Sequence, residues 1–121
     1  MGFYTLPQTK SKRQSIMTTI RTSPNPNTTI VIFLHGGPGM DCSYFTTLLE
    51  SPHLQAKAVT CTQKRGVTSI DQLKEELVEV IDSLSNDENE IFLYGHSFGG
   101  VLALETFPLL QGKIKGLILD P

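Results

Sequence analysis

Gly95-His96-Ser97-Phe98-Gly99 sets a serine with a glycine two places before and two places after it, between the apolar run Ile91 to Tyr94 and the helix-forming stretch Phe98 to Phe107. In a strand-to-helix context this spacing has a mechanical reason. A sharp turn holds the serine in strained backbone geometry, and a bulky residue at either glycine would collide with its neighbours. The turn lifts the Ser97 hydroxyl clear of the strand. It also aims the first amides of the following helix, Phe98's among them, at the space where a developing oxyanion would sit. The chemistry implied is attack of a serine oxygen on a carbonyl carbon. A Gly/Ser pattern this short also occurs as a plain tight turn.

His35-Gly36-Gly37-Pro38-Gly39 follows the apolar run Ile30 to Leu34 directly. Glycines there let the backbone approach a substrate carbonyl, and one exposed amide, Gly37's, would supply a second oxyanion donor. Alone the segment is a Gly/Pro turn; with the elbow it makes the other half of one oxyanion hole. A serine also needs a histidine to take its proton and a carboxylate to orient that histidine. After Ser97 the chain carries Glu105 and Asp120 and no histidine. His96 leaves the backbone in a different direction from Ser97, His35 is expected to brace the glycine loop, and His53 to sit in a turn beside Pro52. Structural roles are expected for all three. Asp120 reads as a strand-end residue before Pro121. Cys42 and Cys61, with no CxxC and no histidine at ligand spacing, read as reduced, packed thiols, and neither a metal nor a cofactor is expected.

These residues must be held by a framework, and the pattern of the chain supplies one. Arg13 to Thr22 is β-rich, Ser23-Pro24-Asn25-Pro26-Asn27 is a turn, and the unbroken apolar run Ile30 to Leu34 suits a strand covered on both faces of a parallel sheet. A short helix is expected over Ser43 to Leu49, closed by Ser51-Pro52, and a third strand over Ala56 to Thr62. Ser69 and Gln72 form a weak capping box. Ile70, Leu73, Leu77, Val80, Ile81 and Leu84 then recur at helical spacing, with Lys74, Glu75, Glu76, Glu79 and Asp82 expected on a solvated face. Asn86 to Asn89 is a polar turn, Ile91 to Tyr94 a strand, Phe98 to Phe107 a helix stopped near Pro108, and Ile114 to Leu119 a last strand. Such alternation predicts an α/β fold with a parallel sheet.

Composition narrows the partners. The chain has 121 residues, 39% hydrophobic, with a net charge of −2. Its basic residues are scattered, which argues against nucleic acid and anionic lipid. No run is long enough for a signal peptide or a bilayer span, so a cytoplasmic location is the expectation.

The stretch from His35 to Gly39 followed by Met40-Asp41-Cys42-Ser43-Tyr44-Phe45, and the stretch Gly95 to Gly100 ahead of Val101-Leu102-Ala103-Leu104, resemble the corresponding segments of proline iminopeptidases in the α/β-hydrolase superfamily. Arg65-Gly66 is similar to that family's Asp-Gln-Arg-Gly loop, with Gln63-Lys64 in place of Asp-Gln, and the family's longer loop before the next helix is shortened here to Gly66-Val67-Thr68-Ser69. The similarity runs over about Ile30 to Asp120; Met1 to Asn27 is compatible with the family's first strands. The resemblance implies a truncated α/β-hydrolase fold, mostly parallel sheet with helices on both faces, lacking the cap and C-terminal strands. It is one partial domain over 1–121, with a β-rich segment 1–28 and a βαβ core 29–121. Ser97 would be the nucleophile and Gly37 and Phe98 the oxyanion hole, supported by His35, Gly36, Pro38, Gly39, Gly95, His96 and Gly99. The substrate would be a small peptide, amide or ester losing an amino-terminal residue such as proline. In the family the acid and base follow the nucleophile and lie beyond a helical cap. The alternatives are therefore a non-catalytic remnant or fragment, or half of a split enzyme that takes a complementing C-terminal chain. The strand Lys115 to Asp120, without a partner on one side, is expected to promote self-association.

Overall fold

The computed structural model describes residues 2–4, 15–37, 42–63 and 69–121. Its elements follow the expected alternation. They are β1 (Gly2–Tyr4), β2 (Met17–Thr22), β3 (Thr29–Leu34), a 3₁₀ turn (Ser43–Phe45) running into α1 (Thr46–Glu50), and β4 (Lys57–Gln63). After these come α2 (Ile70–Leu84), β5 (Glu90–His96), α3 (Phe98–Thr106), a 3₁₀ turn (Phe107–Leu109) and β6 (Gly116–Asp120). The strands form one sheet in the order β1-β2-β4-β3-β5-β6. β4, β3, β5 and β6 are mutually parallel, while β1 and β2 are antiparallel additions at one edge. β1 falls within the β-rich segment 1–28, but a strand of three residues carries no alternation from which its bounds could be read.

β3 lies between β4 and β5, and its unbroken apolar sequence follows from cover on both faces. Ile30, Ile32 and Leu34 pack with Leu73, Leu77, Val80 and Ile81 of α2 and Leu102 and Ala103 of α3. On the other face Phe33 packs with Cys42, Phe45, Leu49 and Ala58. Each such fully buried aliphatic or aromatic side chain contributes about 1.5–3 kcal/mol. Helices thus lie on both sides of the sheet.

α2 begins as its sequence suggests, with the Ser69 hydroxyl accepting the Gln72 amide at 3.2 Å. Its charged side departs from the expectation. Glu76 is only 1% exposed, and its carboxylate accepts the Ile16 amide at 3.0 Å, the Met17 amide at 3.1 Å and the Ser15 hydroxyl. The segment entering β2 crosses α2 at that point, and three donors offset the cost of removing the carboxylate from water. Asp82, at the far end of the helix, pairs with Lys113 at 2.9 Å.

Candidate functional site

Ser97 stands between the last residue of β5 and the first of α3, with φ 53° and ψ −114°, the one non-glycine residue at positive φ among those described. That is a costly conformation for a residue with a Cβ. It is tolerated because both flanks fit closely. A Cβ on Gly95 would lie 2.6 Å from the backbone of Gly100, and one on Gly99 would lie 2.2 Å from the Leu34 carbonyl oxygen. The Ser97 amide donates to the Asp120 carbonyl at 2.9 Å, and the Ser97 carbonyl accepts the Gly100 amide at 2.9 Å. The side chain of Ser97 is exposed and makes no capping bond. The Phe98 amide heads the helix, where no intrahelical acceptor exists for it.

Leu34 pairs with Gly95 in the ladder between β3 and β5, so the residues that follow each strand emerge at the same end of the sheet. His35, Gly36 and Gly37 therefore lie beside the elbow, with Gly37 at φ 58°. His35 is fully buried; its Nε2 accepts the Gln63 amide at 3.0 Å, which leaves the proton on Nδ1 to be donated to the Gly36 carbonyl at 3.0 Å. Both ring nitrogens are committed to backbone. His96 is bound through Nδ1 to the Tyr44 hydroxyl at 3.0 Å. His53 lies in the turn leading into the N-terminal end of β4, at the opposite end of the sheet from Ser97. Pro38, Gly39, Met40, Asp41, Arg65 and Gly66 lie outside the described residues.

Asp120 takes part in the site twice, through its carbonyl on Ser97 and through its carboxylate, which accepts the Tyr94 hydroxyl proton. That bond chiefly, with burial and then the charge of Asp120 and the neighbouring Tyr44 behind it, pushes the Tyr94 phenol above the usual tyrosine range. Neither this pairing nor the Tyr44 contact was read from the sequence. The partners are separated by 26 and 52 residues, and no local pattern announces them. Cys42 and Cys61 are buried and not joined in a disulfide, the Cys42 thiol donating to the Cys61 carbonyl at 3.2 Å. Burial first, and the Cys42 sulfur second, push the Cys61 thiol well above its ordinary range, which makes it a poor nucleophile. Among the described residues no three His, Cys, Asp or Glu side chains converge as metal ligands, and no helix is long and apolar enough to cross a membrane.

Residues 31–121 match the model of the Alpha/beta hydrolase family. The chain is similar to the proline iminopeptidase of Thermoplasma volcanium, 34% identical over 72% of this chain and 32% of that protein. It is also similar to the proline iminopeptidase of Flavobacterium johnsoniae, 28% identical over 74% and 34% respectively. The chain thus spans about a third of the length of these relatives. In fold it resembles the monoacylglycerol lipase of Paleococcus ferrophilus, with a TM-score of 0.64 at 19% identity over 98% of this chain and 42% of that one.

Proposed function

The chain belongs to the Alpha/beta hydrolase family, and from that premise we propose that it carries the nucleophile and oxyanion hole of a serine hydrolase resembling proline iminopeptidases. Ser97 Oγ attacks the carbonyl carbon of a small peptide, amide or ester. The carbonyl oxygen, now an oxyanion, takes hydrogen bonds from the Gly37 and Phe98 amides. The leaving amine or alcohol departs with a proton, and water then releases the acyl group from Ser97. The observation that carries this reading is the strained turn at Ser97, set at the same sheet end as the glycine loop by the pairing of Leu34 with Gly95. Release of an amino-terminal residue is favoured over ester cleavage because the sequence relatives are proline iminopeptidases, whereas the lipase likeness is one of fold.

The base is assigned to a histidine other than the three in this chain, supplied by further residues of the same protein or by a complementing chain. His35 has both nitrogens engaged, His53 is at the wrong end of the sheet, and His96 is drawn onto the Tyr44 hydroxyl through Nδ1. The same observations favour a second reading, a remnant that keeps the elbow without turnover. Mass-spectrometric mapping after treatment with a fluorophosphonate separates the two. An adduct on Ser97, absent in Ser97→Ala, supports the hydrolase; a folded chain that takes no adduct supports the remnant.

A further inference from the structure

Three segments distant in sequence meet at one phenol. The Tyr44 hydroxyl accepts the Gly36 amide at 2.7 Å and lies 3.0 Å from His96 Nδ1. A phenol has one proton to give, and the Gly36 contact uses only a lone pair. The same hydroxyl is thus hydrogen-bonded to both the glycine loop and the His96 ring, whose tautomer sets which of the two donates. The rings of Tyr44 and His96 meet edge to face, with centroids 5.6 Å apart. Gly36 lies so close that a Cβ there would come within 2.9 Å of the same Nδ1. Tyr44 is itself 44% exposed, and the buried ring of its neighbour Phe45, packed on Phe33 and Tyr94, fixes its backbone.

From this geometry we infer that Tyr44 is a positioning residue for the nucleophile site, an inference that rests on the hydrolase reading of Ser97. Its hydroxyl takes the Gly36 amide out of competition for a substrate oxygen and ties the glycine loop to the residue preceding Ser97. The loop's next amide, Gly37's, is then the one presented to the oxyanion, at a fixed distance from the serine. A phenylalanine would fill the same space and keep the ring contacts, but it would let loop and elbow move independently.

Tyr44→Phe tests this in two independent ways. Amide hydrogen exchange should accelerate at Gly36 by at least ~10-fold while Leu77 and Val80 of α2 keep their protection, because exchange follows local opening. Fluorophosphonate labelling of Ser97, followed with imidazole added as an external base, should lose at least ~10-fold in its limiting rate with the probe's half-saturation concentration unchanged; a loss of structure alone would lower the labelled fraction instead. Labelling at the wild-type limiting rate, or unchanged exchange at Gly36, would overturn the inference. If neither protein labels, the reading of Ser97 fails and the exchange result alone decides whether Tyr44 holds the loop.

Discussion

The Ser97 amide donates to the Asp120 carbonyl at 2.9 Å, so the strained elbow is braced from the side by β6 as well as from below by Leu34. Strain of this kind persists only where the surroundings over-determine it. The glycines of the elbow are part of that support, and they differ sharply in what they can accept. A Cβ on Gly99 meets the Leu34 carbonyl oxygen at 2.2 Å, a backbone atom held in the middle of the sheet, whereas one on Gly100 meets nothing closer than 3.4 Å. Gly99→Ala should cost about 3 kcal/mol or more in urea unfolding. Gly100→Ala should be neutral or stabilising by up to about 1 kcal/mol, through the better helix propensity of alanine. Equal effects at the two positions would contradict the packing described.

Glu76 ties the entry to β2 onto α2 through the Ile16 and Met17 amides. Glu76→Ala leaves those donors without their acceptor inside the protein and should destabilise it by about 2–3 kcal/mol. Removing the exposed Glu105 on α3 should change stability by less than about 0.5 kcal/mol. Denaturant midpoints of the two variants provide the comparison.

The Tyr94 phenol is held above its usual range chiefly by the hydrogen bond to Asp120. A group whose folded value is raised stabilises the fold below its unfolded value, and that contribution is lost as pH rises through the folded one. The bond should therefore contribute fully from neutral pH to about pH 10 and fade only above it. In Asp120→Asn the alkaline titration of Tyr94 should move down toward the ordinary value. Tyrosinate absorbance, taken as the difference from Tyr94→Phe, measures it; an unmoved titration would show that the carboxylate is not the cause.

Val101, Leu104, Phe107 and Leu109 are each about half exposed along and just beyond α3, and Ile118 and Leu119 are 47% exposed on the edge strand β6. An apolar edge without an interior proline or repeated charges invites strand pairing. The average mass in sedimentation should rise with concentration, and Ile118→Lys should reduce that rise. A concentration-independent monomer in the wild type would contradict this expectation.

Much of the framework was legible because long, strongly patterned segments carry their own evidence. The apolar run Ile30 to Leu34 and the helical spacing from Ile70 to Leu84 were matched within a residue or so. β6 begins at Gly116, two residues later than its apolar run suggests, because Ile114 and Lys115 belong to the approach rather than the strand. The burial of Glu76 was not legible, since helical spacing puts it among solvated charges and only the crossing of residues 15–17 covers it. At the candidate site, the strand-turn-helix setting of Ser97 and the neighbouring glycine loop followed from motif and alternation. The Tyr44 junction with Gly36 and His96 did not, because it exists only once β3 and β5 lie side by side.

The rate of fluorophosphonate labelling at Ser97 as a function of imidazole concentration tests the central claim most directly, because it asks separately for the nucleophile and for the base. A prepared serine and oxyanion hole without a histidine of its own should label slowly alone and faster in proportion to added imidazole, with no adduct in Ser97→Ala. Fast labelling that ignores imidazole would mean that His35, His53 or His96 serves as the base after all, and no adduct at any imidazole concentration would mean that Ser97 is not a nucleophile.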